Sequence, residues 1–237
     1  MFTLFFVTSE EIVREEIQLI GTQAHHAISV LRVQSGEVIR LADGSGTWVE
    51  GAITNITKDS LTIRVRNRGT DRRPKTAITI AQAVLKGENQ KAALDQLVQA
   101  GADEIIPWQA RRSIGALDKS AKWREVILAA ARQSRRARIP ELFPMTDISG
   151  ILNIASEFDV VVALHESAHQ SISAITKISG AQKLLVIIGP EGGLSDQELD
   201  EFTQAGIEVA KLGEPVIRAD LAGAIALGAI QILTKEW

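Results

Sequence analysis

The sequence predicts an α/β protein in two parts, a small N-terminal β-barrel or sandwich and a larger C-terminal domain with an open parallel sheet. Residues 1–70 contain short alternating strand patterns separated by polar turns such as Asp43–Gly46. A polar segment that ends in proline, Arg68–Pro74, follows as a predicted linker. From residue 75 to residue 237, short apolar runs alternate with amphipathic patterns, and this alternation favours a parallel sheet covered by helices.

Individual elements follow from the periodicity of the apolar residues. In the first part, three segments predict strands and a fourth predicts a helix: Glu37–Leu41, Thr47–Ile56 and Leu61–Val65, then Thr22–Leu31. In the second part, five apolar runs fit buried strands: Ala77–Leu85, Glu104–Pro107, Asp159–Leu164, Lys183–Gly189 and Ile207–Leu212. Amphipathic patterns predict helices over Asn89–Gly101, Ala121–Arg136 and Ser195–Gly206. The last of these begins with a capping box formed by Ser195 and Glu198.

The composition excludes several classes of protein. The 237 residues include no cysteine, which rules out disulfides, thiolate nucleophiles and cysteine-ligated metal sites. The histidines are too few and too poorly spaced for a metal site; they are His25, His26, His165 and His169. No apolar run approaches the roughly 18 residues of a membrane span, and the N-terminus lacks the basic region of a signal peptide. We therefore expect a soluble cytoplasmic protein with no metal and no membrane partner.

The charges are segregated along the chain, although the net charge is only −3. Residues 111–138 contain nine basic side chains against Asp118 and Glu125, a local charge of +7. Residues 64–75 contain six basic side chains against Asp71. Clustered arginine is typical of phosphate binding, because guanidinium pairs bidentately with phosphate. A solvated helix face and an exposed linker are the alternative, but two such runs favour an anionic polymer as partner.

The glycine-rich segment Gly189–Gly193 is the sharpest local signal. It joins a buried strand to the capped helix. Ligands of open α/β sheets bind beyond the carboxyl ends of strands, and glycines there let the backbone approach a ligand closely. The segment is not a P-loop, and its spacing does not match the dinucleotide pattern. Taken alone, such a turn is as often structural as it is ligand-binding.

Two further strand ends, Leu164–Glu166 and Leu212–Arg218, also carry polar or glycine-rich residues. Three such ends predict one crevice lined mainly by backbone, which suits a neutral heteroaromatic ligand better than a triphosphate. His165 is a candidate base, although a lone histidine at a strand end is more often a structural group. Asp220 is either the N-cap of the following helix, which we favour, or a functional acid.

The predicted C-terminal helix, Leu221–Leu233, is rich in glycine and alanine. Side chains this small let another backbone approach closely, as they do in a tight subunit contact. We therefore expect a homodimer, with Arg218 just before this helix and close to the crevice.

An ordered set of short motifs runs along the chain. It consists of His25-His26 with Val30-Leu31-Arg32, Lys86-Gly87-Glu88, Arg111-Arg112-Ser113, Ala130–Arg135, Leu164-His165-Glu166, Ile188–Gly193 and Leu212-Gly213 with Val216-Ile217-Arg218. The set resembles the RsmE family, the 16S ribosomal RNA methyltransferases that modify a uridine at ring N3. It spans nearly the whole chain and is far more specific than any single motif.

The resemblance implies a PUA-like β-barrel that binds RNA over residues 1–70. Over residues 75–237 it implies a SPOUT-class α/β domain with a deep trefoil knot. S-adenosyl-L-methionine would bind to the knotted loops, a homodimer would complete the site, and the 16S rRNA of the small ribosomal subunit would be the substrate. The implied cofactor-binding residues are Leu164, His165, Glu166, Ile188, Gly189, Pro190, Glu191, Gly192, Gly193, Leu212, Gly213, Val216, Ile217, Arg218 and Ala222. The RNA-binding candidates are Arg32, Arg111, Arg112, Arg132, Arg135, Arg136 and Arg138.

Methylation of uridine N3 requires this nitrogen to lose its proton. A nearby carboxylate base, cationic donors to the flanking carbonyl oxygens, or both would assist. Glu166 and Asp220 are the candidate catalytic carboxylates, and Arg218 is the candidate donor. The alternative for Arg218 is a structural salt bridge with Asp220 or Glu214.

Two segments depart from the family pattern. Gln96 and Gln99 stand where the family usually has a lysine and a glutamate. Ala219-Asp220-Leu221 stands where the family has Thr-Glu-Thr or Thr-Ser-Thr, so two hydroxyls are missing beside the pocket. This change motivates an alternative function, an RNA-binding ribosome-assembly factor with weakened or lost catalysis. A P-loop or Rossmann nucleotide enzyme is disfavoured by the missing motifs.

Overall fold

The computed structural model describes residues 3–114 and 120–236. The chain divides into two compact units, Met1–Arg73 with Ala131–Ile139, and Pro74–Ala130 with Pro140–Trp237. The sequence boundaries, 1–70 and 75–237, differ from this division mainly because they assign residues 131–139 to the second part. Lys119, one of the cations in the basic run, lies outside the described residues.

The first unit is built on a curled five-stranded sheet in the order β1-β3-β4-β5-β2. Its strands are β1 (Leu4–Phe6), β2 (Glu16–Ile20), β3 (Val38–Ala42), β4 (Thr47–Ile56) and β5 (Ser60–Thr70). β1 pairs with β3 in parallel, and the other pairs are antiparallel. Apolar residues at alternate strand positions form the core, as Ile17 and Leu19 of β2 and Leu61 and Ile63 of β5 illustrate.

The linker prediction is wrong for its first three residues, because β5 extends to Thr70. The Arg68 guanidinium donates to the carbonyl oxygens of Ile12 at 2.5 Å and Arg14 at 2.7 Å. It also pairs with Glu15 at 3.0 Å. These contacts bind Arg68 within the first unit, so this part of the second basic run is already engaged by its own chain.

The helix predicted over Thr22–Leu31 is present but irregular. An α-helix, α2 (Gly21–His25), follows the short α1 (Ser9–Ile12) and continues into a π-helical turn, His26–Val30. Arg32, just beyond this turn, takes the left-handed conformation with φ 54°. Glycine usually occupies such a position after a helix, because a Cβ is disfavoured there.

The second unit contains an eight-stranded sheet in which every pair is parallel. Its strands are β6 (Ala77–Ala83), β7 (Glu104–Gln109), β8 (Glu141–Leu142), β9 (Thr146–Asp147), β10 (Val160–Leu164), β11 (Gln170–Ser171), β12 (Lys183–Ile188) and β13 (Glu208–Lys211). The order is β11-β13-β10-β12-β6-β7-β8, with β9 also paired to β7. All five predicted strands are present, and the mixed α/β fold class is confirmed.

Helices cover both faces of this sheet. They are α3 (Glu88–Ala100), α4 (Ser120–Ser134, which continues into the first unit), α5 (Ile148–Ile154), α6 (Asp196–Gln204) and α7 (Ala219–Leu233). Short 3-10 turns lie at Ala155–Glu157, Ile172–Ala174 and Thr176–Gly180. Ile151 of α5 and Phe202 of α6 join the core on one face. Burial on both faces explains why these strands read as continuous apolar runs.

On the other face, α7 packs against α3 and the sheet of its own chain. A Cβ on Gly223 would lie 2.6 Å from Leu97 of α3, so this glycine permits a close helix contact. Part of the small-residue pattern therefore serves packing within the chain. Leu221, Ile225 and Ile232 of α7 remain exposed at 41%, 38% and 64%. Among the described residues, no helix is long and apolar enough to cross a membrane.

Candidate cofactor pocket

Three neighbouring strands of the second unit bring the candidate residues together. β13, β10 and β12 are adjacent and parallel, so their carboxyl ends lie along one edge of the sheet. The segments that follow these strands surround a cavity of about 380 Å³. A volume of this size falls within the range of about 300–1,000 Å³ typical of small-ligand sites.

Every residue that the resemblance assigns to the cofactor lines this cavity, and so does Asp220. Sequence reasoning missed five further lining residues: Asn89, Leu194, Lys211, Pro215 and Ala219. Four of them are neighbours of predicted residues in the chain. Asn89 comes from the first turn of α3, beside the Lys86-Gly87-Glu88 motif, which was the signal that could have indicated it.

We call the segment after β12, Gly189–Leu194, the glycine loop. Its start is fixed by the buried Trp108, whose indole Nε1 donates to the carbonyl of Ile188 at 3.0 Å. Gly193 has φ 70°, and its amide donates to the carbonyl of Pro190 at 2.9 Å. The glycine is needed here because the turn uses the left-handed region.

Glu191 ties the glycine loop to the first turn of α3 and to the residue before the helix N-cap. Its Oε1 accepts hydrogen bonds from the backbone amide of Lys86 and from Asn89 Nδ2, both at 3.0 Å. Partial burial and the charge of Asp220 raise the pKa of Glu191, but these hydrogen bonds outweigh both effects and leave the pKa below its ordinary value. The Glu191 carboxylate is therefore charged at neutral pH.

Arg112 contacts the outer side of the glycine loop. Its Nη1 donates to the carbonyls of Gly192 at 3.0 Å and Leu194 at 3.2 Å. A Cβ on Gly192 would lie 3.3 Å from Arg112 Cβ, so this glycine leaves room for the arginine stem. The absence of a side chain at Gly192 thus accommodates Arg112. Gly192 also lines the cavity, so the close approach to a ligand expected from the sequence stays a prediction.

The predicted capping box at the start of α6 is confirmed. Ser195 Oγ accepts from the Glu198 amide at 3.3 Å, and the Glu198 carboxylate accepts from the Ser195 amide at 2.7 Å. Glu198 is fully buried, and its second oxygen accepts from the amide of Arg111 at 2.8 Å. The Arg111 guanidinium pairs with Glu201 at 2.9 Å.

Arg218 and Asp220 form a bidentate ion pair. Arg218 Nε and Nη2 donate to the two Asp220 carboxylate oxygens at 3.0 and 2.6 Å. The N-cap interpretation of Asp220 is wrong, because Arg218 occupies the N-cap and Asp220 lies in the first turn. The Asp220 side chain is 7% exposed and that of Arg218 is 74% exposed. Glu214 instead pairs with Lys211 at 2.7 Å.

His165 is held by Ser167. Its Nδ1 lies 2.8 Å from the Ser167 hydroxyl and 3.3 Å from the Ser167 amide nitrogen. The amide can only donate, so Nδ1 accepts and the neutral ring carries its proton on Nε2. That nitrogen lies 3.8 Å from Glu166, whose side chain is 52% exposed. A ring with its Nε2 protonated is not poised to act as a base through that atom.

The remaining RNA-binding candidates lie together with the first unit. Arg135 has φ 57° and follows α4, as Arg32 follows its helical turn. Arg132 is half-buried, and this burial lowers the pKa of its guanidinium. The Arg138 guanidinium lies against Gly46, where a Cβ would collide with it. Arg136 follows Arg135 and is half-exposed.

Two protein-family models match the chain, and together they identify its class of protein. The RNA methyltransferase domain family matches residues 72–231, and the RNA methyltransferase PUA domain family matches residues 19–66. The chain therefore carries an RNA methyltransferase domain.

Relatives then define the family. The chain is 34% identical to ribosomal RNA small subunit methyltransferase E of Mycobacterium tuberculosis, over 92% of this chain and 86% of that protein. It is 29% identical to the Bacillus subtilis protein of the same name, over 92% and 90% of the two chains. The crystal structure of the Neisseria gonorrhoeae protein of this name, bound to S-adenosyl methionine, matches with a TM-score of 0.89 at 25% identity over 98% of each chain. The chain belongs to the ribosomal RNA small subunit methyltransferase E family, which confirms the resemblance.

Proposed function

We propose that this protein methylates N3 of a uridine in 16S ribosomal RNA with S-adenosyl-L-methionine as methyl donor. The observation that carries the proposal is the cavity, where the glycine loop and the Arg218–Asp220 pair meet. Membership of the family supports the reaction class. An RNA substrate in the small ribosomal subunit further supports a cytoplasmic location.

The charges around the cavity fit a cationic sulfonium better than a polyphosphate. The described lining includes three carboxylates, on Glu166, Glu191 and Asp220. Its lysine and arginine, Lys211 and Arg218, are each already paired with a carboxylate. The net negative charge of the lining would repel an added polyphosphate, whereas it would attract the positive charge of a sulfonium. Backbone groups of the glycine loop would hold the adenosine part.

S-adenosyl-L-methionine supplies an electrophilic methyl group when it is bound. The protein must align the uridine base with that group and assist the loss of the N3 proton. We assign the proton to Glu166, because its carboxylate lines the cavity, is 52% exposed and, among the described residues, forms no ion pair shorter than its 3.8 Å approach to His165. Asp220 accepts from Arg218 with both oxygens, so it orients the arginine. The Arg218 guanidinium would stabilise negative charge on the uracil carbonyls.

A valine at Gly213 tests whether the cavity holds the cofactor. A Cβ there meets only Pro215 Cδ, at 3.8 Å, so the fold should tolerate it. Both residues line the cavity, and the larger side chain should weaken S-adenosyl-L-methionine binding by about tenfold or more in calorimetry, because such sites enclose most of their ligand. Gly180→Val is the matched control, since Gly180 also has open space but lies outside the cavity lining. Equal binding by the Gly213 and Gly180 variants would contradict the assignment.

Arg218→Ala tests the role of the ion pair in the transition state. Turnover should fall by a factor on the order of 100 while cofactor affinity barely changes, because one preorganised donor is typically worth that much. Arg218→Lys should restore only part of the rate, since lysine cannot present two parallel donors. Methylation would be measured on small-subunit particles and on naked RNA.

Full activity in the alanine variant would leave Arg218 as a structural partner of Asp220. If the parent protein binds S-adenosyl-L-methionine but methylates neither substrate, the alternative of an RNA-binding assembly factor with weakened catalysis is supported. The absence of hydroxyls at Ala219 and Leu221 is the feature that motivates this alternative.

For the two parts of the chain we propose separate tasks. Residues 75–237 would bind the cofactor and form a deep trefoil knot, and residues 1–70 would bind the RNA. Arg32 supports this division, because it is an exposed cation within residues 1–70. Arg135 is also exposed and belongs to the first unit, so it would extend the RNA surface beyond residue 70. Each holds a left-handed backbone position that an arginine occupies only at a cost of order 1 kcal/mol or more. Arg132, Arg136 and Arg138 extend the proposed RNA surface.

Replacing Arg32 and Arg135 together with alanine tests this surface. Removing an arginine that neutralises one phosphate should reduce the slope of log affinity against log salt by about 0.7 to 0.9, because fewer counterions are released. Cofactor affinity should stay at the parent value. The measurement is a salt titration of binding to 16S rRNA, and an unchanged slope would show that neither arginine contacts an RNA phosphate.

We also propose a homodimer formed through α7. Its exposed Leu221, Ile225 and Ile232 recur at a spacing that places them on one side of the helix. Arg218 lies just before this helix at the cavity, so a partner chain there would help to enclose the site.

Ile225→Glu tests the dimer, because burying an unpaired carboxylate in an apolar contact is costly. Sedimentation should show a dimer for the parent and a monomer for the variant. Circular dichroism should remain unchanged, since Ile225 is exposed in the single chain. A monomeric parent would refute the proposed interface.

A further inference from the structure

The turn after β7 engages the cofactor pocket from outside. Arg111 and Arg112 follow β7 by two and three residues, and both are RNA-binding candidates from the sequence. In the structure, both guanidinium groups donate to their own chain. Arg112 is the one that reaches the glycine loop, through a single nitrogen shared between the carbonyls of Gly192 and Leu194.

These two carbonyls belong to peptide groups whose other ends are also bound. The peptide that begins with the Gly192 carbonyl ends in the Gly193 amide, which donates to Pro190 at 2.9 Å. The peptide that begins with the Leu194 carbonyl ends in the Ser195 amide, which donates to the buried Glu198 at 2.7 Å. The planes of both peptides are therefore set from both sides, and they flank the pair Gly193-Leu194, in which Gly193 has φ 70°.

We propose that Arg112 is a positioning residue for the cofactor, which it holds in place through the glycine loop, and that it is not a phosphate contact. This inference rests on the proposed function of the cavity as the S-adenosyl-L-methionine site. Arg112 is absent from the cavity lining and acts only through the loop that Gly192 and Gly193 make flexible.

The physical reason is the cost of ordering glycine. Glycine loses more conformational freedom on folding than any other residue. Without hydrogen bonds from Arg112, the loop would have to become ordered when the ligand binds, and this ordering would lower the affinity. Hydrogen bonds from a guanidinium to carbonyls are charge-assisted and stronger than neutral ones. The arginine stem adds contact, because it lies where a Cβ on Gly192 would meet it at 3.3 Å.

Arg112→Met separates the hydrogen bonds from the packing, since methionine keeps most of the aliphatic stem and removes the donors. Arg124→Met is the matched control: it removes the same charge from the same basic run, at an exposed site on α4. Calorimetry would give the dissociation constant for S-adenosyl-L-methionine, and a salt titration would give the slope for 16S rRNA.

We expect Arg112→Met to raise the dissociation constant by about tenfold, because the variant cannot donate the two charged hydrogen bonds to the loop. The Arg124 variant should remain within about twofold of the parent, since an exposed charge contributes little. Turnover at saturating cofactor should remain near the parent value for Arg112→Met, while KM for the cofactor rises. A residue that supported only global stability would lower the melting temperature without this split.

The outcomes separate this inference from the proposed function. If the parent binds no S-adenosyl-L-methionine, the proposed function fails. If the parent binds it and Arg112→Met binds equally well, the positioning role is refuted. A reduced salt slope with unchanged cofactor affinity would show that Arg112 contacts RNA phosphate instead. Should the methionine variant fold poorly, Arg112→Lys, which keeps the charge but reaches less far, should give an intermediate dissociation constant.

Discussion

The glycine loop must present open backbone to a cavity while lying outside any helix or strand, and the rest of the pocket depends on how that backbone is held. A loop of this kind gains no ladder hydrogen bonds, and its glycines carry a large entropic cost of ordering. Hydrogen bonds to neighbouring elements hold this backbone. Trp108 of β7 donates to the carbonyl of Ile188 just before the loop, Arg112 donates to two carbonyls within it, and Glu191 of the loop accepts from Asn89 of α3. These hydrogen bonds keep the loop in one conformation without filling the cavity beside it.

Like charges create a second constraint, because the charge of Asp220 acts to raise the pKa of Glu191. Each carboxylate is stabilised by its own donors. Glu191 accepts from Lys86 and Asn89, and Asp220 accepts from Arg218. The cavity can therefore keep a negative electrostatic potential at neutral pH. This potential attracts a sulfonium and repels a polyphosphate.

Much of the fold and of the pocket could be predicted, because both depend on local patterns. Continuous apolar runs indicated the parallel strands, and parallel strands place their carboxyl ends at one edge, so three strand ends were enough to indicate the cavity. The strand Glu16–Ile20 alternates in burial and was available to the same reasoning, but it was missed. The grouping of residues 131–139 with the first unit was not predictable, since α4 continues unbroken across the boundary and helical periodicity carries no information about distant packing.

Partners of charged side chains were the least predictable feature, for a related reason. Arginines in one run look alike in sequence, and their net charge of +7 indicates only that anions are attracted. The structure divides this run at the boundary between its two units, where Arg111 and Arg112 lie in the second unit and Arg132–Arg138 in the first. Arg112 directs its donors to carbonyls, which carry no net charge and which no count of charges could have indicated. The cations of one basic run can therefore have different functions. Only the positions of the acceptors distinguish the cations that shape a pocket from those that remain available to bind an anionic polymer.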